Sequence, residues 1–202
     1  MRCTYSLLAI LAFPFALTAQ DAPAPAPHPI APTERQIAAA VIPLPNEFRA
    51  GATVLGYNAA GTLVTLRKGS GAMICLADDP KDENFHAACY HRSMEPFMAS
   101  GRALRKAGTT GPAVDSARFR AVRAGKLRMP TRPAALWQVS GPHSAIDVEK
   151  QTHAAPARSL YVVYIPGATP ESTGLPGRGA AGLPWVMNPG TPKAHIMFVP
   201  TM

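Results

Sequence analysis

The sequence predicts an α+β fold: a mostly antiparallel sheet of short strands with one main helix packed on it, loop-rich and closed by one disulfide. Three observations predict it. Short β-branched and aromatic runs, such as Leu160–Ile165 (LYVVYI), recur between Gly- and Pro-rich breaks, as strands and turns do. A segment after Cys89 carries apolar residues at helical spacing. Apolar residues make up 47% of the 202-residue chain, enough for a core, whereas 16 Gly and 22 Pro break it too often for a long-helix bundle.

The chain opens with Met1-Arg2, an apolar run from Leu7 to Leu17, and small residues ending at Ala19. That layout predicts a signal peptide over 1–19, with an apolar core too short to anchor in a bilayer. Residues 20–32 form a Pro/Ala-rich linker, where proline at alternate positions favours an extended polyproline II spacer. His28 lies in it with no expected role. Residues 33–202 then make a single α+β domain, exported to the periplasm or outside the cell. No second long apolar run follows, so the mature chain is expected to lack a transmembrane segment.

Within the domain, Thr33 followed three residues on by Gln36 predicts a capping box opening a short helix to about Val41, stopped by Pro43 and Pro45. Thr53–Tyr57 and Leu63–Arg67 read as two strands joined by a turn at Asn58-Ala59-Ala60-Gly61, and Ala72–Leu76 as a third, in an antiparallel meander. The main helix follows Cys89, with Ser93 as N-cap, Pro96 in its first turn, and Lys106 and Gly108 at its end. Val114–Arg123 reads as a second, basic helix or an extended flap. Ala134–Val139 reads as a strand bearing Trp137. The segment 141–156 reads as loop, with His143 and His153 in it. Leu160–Ile165 reads as a central strand covered on both faces, because its apolarity is continuous. A Gly- and Pro-rich loop fills 166–184, and Ala194–Val199 closes the sheet of about five to seven strands.

With Cys3 removed in the signal, Cys75 and Cys89 remain as an even pair in an oxidising space, which predicts a disulfide. The alternative is a metal held by His86, Cys89 and His91. The chain has neither a Cys-x-x-Cys nor a His-x-x-x-His pair, so no metal and no cofactor are expected. The acidic run from Asp78 to Asn84 lacks the Asp-x-Asp-x-Asp-Gly spacing of a calcium loop and reads as solvated.

The closing segment 183–200, LPWVMNPGTPKAHIMFVP, resembles the tail of a family of uncharacterised exported bacterial proteins. The likeness extends to LRKGSG at 66–71, to Cys75-Leu76, and to Cys89 leading into a helix. Members of that family carry an aromatic residue near the first cysteine, where this chain has Met73-Ile74. They also carry Pro-His entering the penultimate strand, where it has Arg158-Ser159. The resemblance implies a bacterial envelope origin and one compact domain, and brings no activity.

Three functions compete. The first is a non-enzymatic binding domain for a small molecule or envelope component, using the Gly- and Pro-rich loops around Trp185. The second is a metal-dependent or His-assisted hydrolase, in which His195 joins His86, His91 or the acids from Asp78 to Glu83. In an alternating strand His195 shares a face with Met197 and Val199. Gly69-Ser70-Gly71 is not a nucleophile elbow, and no phosphate-binding glycine pattern occurs. The third is a polyanion-binding surface. The net charge is +8, and Arg118, Arg120, Arg123, Lys126 and Arg128 crowd a stretch whose single acid is Asp115. Nucleic acid is not an expected partner, because Phe119 is the only aromatic interleaved there.

Overall fold

The structure is a computed structural model and describes residues 28–179 and 182–200. The expected signal peptide and residues 20–27 of the linker lie outside the described residues. The elements run α1 (Thr33–Ala40), α2 (Asn46–Arg49), β1 (Thr53–Tyr57), β2 (Leu63–Arg67), β3 (Met73–Leu76), β4 (Phe85–His91), α3 (Glu95–Lys106) and α4 (Pro112–Arg123). They continue with β5 (Ala134–Gly141), β6 (Ile146–Asp147), β7 (Thr152–His153), β8 (Arg158–Tyr164), α5 (Pro170–Thr173), β9 (Trp185–Met187) and β10 (His195–Phe198). Eight strands form one sheet in the order β2-β1-β3-β4-β5-β8-β10-β9, and β6 and β7 pair separately as a hairpin. The fold is α+β and mostly antiparallel, as the strand runs predict.

The expected meander is corrected at its third strand. The turn is as read, with Asn58 Oδ1 accepting from the Ala60 and Thr62 amides. However, β3 lies on the far side of β1 from β2 and runs parallel to it. The chain therefore leaves β2 and passes the entry of β1 in five residues, Lys68–Ala72. A Cβ at Gly69 would lie 2.2 Å from the Gly51 carbonyl oxygen, and Gly71 N donates to that same oxygen at 2.7 Å. Gly69-Ser70-Gly71 is thus a backbone crossing that side chains would block.

Two layers cover the sheet. On one face, α3 and α4 bury Ile74, Tyr90, Leu136 and Val162 beneath Met94 and Phe97. Arg118 lies between the two helices, with its guanidinium 4.0 Å above the Phe97 ring, where a Cβ at Gly101 would intrude on it. On the other face, α1 and the segment after it set Ala40, Val41 and Leu44 over Val54, Cys75 and Cys89. The capping box at Thr33 does not form, since α1 has no side-chain cap. Gln36 instead docks α1 on the end of β1: its Nε2 donates to the Tyr57 carbonyl at 2.9 Å and its Oε1 accepts from the Tyr57 amide at 2.8 Å. No helix among the described residues is long and apolar enough to cross a membrane.

Candidate functional site

Strand register sets the main site. Val54, Cys75, Cys89, Trp137, Tyr161 and Phe198 pair in succession across β1, β3, β4, β5, β8 and β10. Directly paired residues share a face, so these six form one straight row. The Cys75–Cys89 disulfide lies within it, and both cysteines are fully buried. Beyond Cys89 the cover stops. Trp137 and Tyr161 are half-buried and Phe198 is 37% exposed. This corrects the expectation for the LYVVYI strand, which is central but covered on one face only.

The uncovered half of the row floors a groove made of two hollows, about 410 Å³ and about 360 Å³, which share Trp137 and Tyr161. Those two rings meet edge to face with centroids 4.8 Å apart, a geometry that aligns ring edge against ring face. Leu183, 57% exposed, and Val199 wall the apolar end. The other end is polar. There Ser159 Oγ and His153 Nε2 are 3.0 Å apart. Arg49 ties the wall to the β6–β7 hairpin, donating to the Leu44 and Ile42 carbonyls at 2.8 and 3.1 Å and to the Gln151 carbonyl at 3.2 Å. Gln151 itself has a φ of 51°, a backbone region uncommon for a residue with a side chain.

A second cleft, about 340 Å³, lies under residues 28–31. The His28 amide donates to the Pro80 carbonyl at 2.5 Å, and the His28 ring lies 4.8 Å from the ring of His143. His143 Nε2 is 2.8 Å from Asp78 Oδ2, while Asp78 Oδ1 accepts from the His86 amide at 2.7 Å. Asp78 is therefore a built-in group, not part of a solvated loop. Burial raises its pKa above the ordinary carboxylate value, outweighing those two bonds. Burial and the Asp79 carboxylate likewise push the Tyr57 phenol up. No serine, threonine or cysteine is among the described residues lining this cleft.

The histidines singled out in the sequence do not converge. His195 is 4% exposed, with Nδ1 2.7 Å from the Lys193 carbonyl oxygen and its ring 5.1 Å from that of Tyr164. It faces the α3/α4 layer, and burial lowers its pKa. Trp185 pairs with Met197 on the sheet's outer strand, on that same face and away from the groove. His86 is exposed on β4; His91, on the opposite face, accepts from the Ser93 amide and caps the turn into α3. Two strands separate β4 from β10. No cluster of three metal-ligating side chains occurs among the described residues. In the basic stretch, Arg120, Arg123, Lys126 and Arg128 are exposed, but Arg118 is buried against Asp115 and the Phe97 carbonyl and belongs to the core.

Sequence reasoning thus missed the groove. It ranked residues by chemical type, whereas the groove arises because three aromatics in three separate strands fall into register. Trp137, Tyr161 and Phe198 each lie inside an expected strand, and that was the available signal. Comparison with family models, curated proteins and solved structures finds no match, so the groove's own chemistry carries the functional argument.

Proposed function

We propose that this is an exported, non-enzymatic binding domain that holds a small molecule or envelope component with an apolar portion in the groove. The observation that carries this reading is the bare aromatic half of the row. Trp137, Tyr161 and Phe198 stay partly open to water beside Leu183 and Val199, on a sheet face that is otherwise covered. Apolar surface gathered into a concave strip, with polar groups at one end, is the usual make-up of a ligand site.

Export is supported by the signal-like first nineteen residues and by a disulfide, which persists in oxidising compartments. Binding is favoured over catalysis by the state of the Ser159–His153 pair. Among the described residues nothing hydrogen-bonds His153 Nδ1, so the imidazole lacks the orienting group that a serine nucleophile's base requires.

The test is a titration with N-phenyl-1-naphthylamine, a dye that brightens in apolar sites. Saturable, one-to-one binding is expected, weakened at least tenfold by Phe198→Asp. Binding that survives Phe198→Asp unchanged, or does not saturate, overturns the assignment to the groove.

A further inference from the structure

The groove is polarised, and its polar end has one sign. No aspartate or glutamate is among the described residues lining either hollow. Arg49 stands at the polar end with no carboxylate in salt-bridge reach among the described residues. Its bonds go to three backbone carbonyls and to the Gln151 side chain at 3.2 Å. Those four bonds leave one of the five guanidinium N–H groups without a protein partner among the described residues. Just outside, a further hollow lined by Arg67 and Lys150 shares Arg49, Gln151 and Thr152 with the groove and also contains no acid among its described residues. Nearby carboxylates lie outside these hollows: Asp147 pairs with Lys150 at 3.1 Å, Glu149 pairs with Arg35, and Glu47 is exposed on α2. The contrast is the cleft under residues 28–31, which holds Asp78.

We infer that the groove takes a single-chain anionic amphiphile. Its carboxylate or phosphate head meets Arg49, His153 and Ser159, and its alkyl chain lies along Trp137, Tyr161 and Phe198 toward Leu183 and Val199. This rests on the groove being the binding site. A planar or tetrahedral anion accepts from the guanidinium, and the Ser159 hydroxyl can turn to donate. Arg67 and Lys150 add positive potential that draws the head inward. Neighbouring strands are about 4.8 Å apart, so the three aromatics span about 10 Å, the length of one extended chain of moderate size. A molecularly dispersed chain fits such a trough; a bilayer surface does not follow it.

The experiment compares decanoate, decyl phosphate, decanol and decyltrimethylammonium, all below micelle formation, against the full mature chain. Trp137 fluorescence in a Trp185→Phe background reports binding. The two anions are expected to bind at least tenfold tighter than the cation, with the gap narrowing as salt rises. Affinity should climb about two- to fourfold per added methylene until the chain fills the groove. His153→Gln with Ser159→Ala should narrow the preference for anions while decanol binding holds. Equal binding of all four probes overturns the anionic head but leaves the groove standing. Failure of every probe overturns the groove reading itself. Binding to phosphatidylglycerol vesicles without binding to dispersed decanoate overturns the single-chain ligand.

Discussion

One row of side chains crosses the sheet, and its two halves behave differently. Val54, Cys75 and Cys89 are fully buried beneath Ala40, Val41 and Leu44. Trp137, Tyr161 and Phe198 continue the same row, on the same face; the first two are half-buried and Phe198 is exposed. The strands are alike; the cover differs. Helix α1 is short and the chain after it turns into α2, so the layer ends above the disulfide. The covered half contributes to stability through exclusion of water and a cross-link. The open half leaves large, rigid aromatic surface partly in contact with water.

That contrast predicts where mutations act. The largest effect belongs to the disulfide: Cys75→Ala with Cys89→Ala should lower stability by about 3 kcal/mol, because the oxidised bridge restricts the unfolded chain. In a domain of this size that is a fall of about 6–12 °C in Tm, read by thermal melts with and without reductant. Met73→Ala, in the covered half, should cost about 3 kcal/mol by leaving a cavity beside the cysteines, with dye affinity unchanged at a temperature where the variant is folded, since Met73 lines neither hollow of the groove. If Met73→Ala changes affinity as strongly as stability, the two halves are not independent.

The opposite face is the control. Asp115 holds Lys193 Nζ at 2.9 Å and the buried guanidinium of Arg118. Asp115→Asn should cost about 2 kcal/mol by weakening the partner of a buried charge, without touching the groove. Partial burial alone would raise the Asp115 pKa, but Lys193 and Arg118 together hold it below the ordinary value. Its stabilising contribution is therefore present above the usual carboxylate range and lost as pH falls through the lowered value. His195 adds to acid sensitivity from a higher pH. Burial lowers its pKa below 6.5, so below that pH the unfolded chain takes up a proton that the folded one resists. Melts from pH 7 to pH 4 should show Tm falling, with the upper part of the fall flattened in His195→Gln. A flat profile in the parent protein would sink both assignments.

The smallest stability effect is expected at the bare end. Phe198→Ser should change stability by less than about 1 kcal/mol, since the ring is already partly solvated, yet weaken dye binding about tenfold. A large loss of stability there would mean that the aromatic half is core after all.

Much of the fold was legible because local signals agree with it. Thr53–Tyr57 and Leu63–Arg67 are strands to the residue, and the helix after Cys89 ends where Lys106 and Gly108 place its end. The parallel pairing of β1 and β3 was not legible, since Gly69-Ser70-Gly71 reads as a turn whichever side of β1 the chain then takes. The three-residue strand Trp185–Met187 was hidden for another reason: it exists by pairing with β10, not by its own propensity. Gln36 followed the capping-box spacing but met the Tyr57 backbone first, a tertiary partner that spacing cannot show. For the site, Cys75 and Cys89 were legible from number and compartment. The aromatic row was not, because Trp137 and Tyr161 are 24 positions apart and meet only through register.

The disulfide's position in that row makes it a pin on strand register. A slip of one residue between strands sends every side chain to the other face. Cys75 and Cys89 are direct partners in the row, so a bond between them admits one alignment of β3 with β4, and β5, β8 and β10 build outward from β4. Oxidation thus fixes the alignment of β3 with β4; Trp137, Tyr161 and Phe198 come to one side through the further pairings of β4 with β5, β5 with β8 and β8 with β10. A chain whose cysteines are reduced lacks that tether between β3 and β4 and holds their register by ladder hydrogen bonds and packing alone.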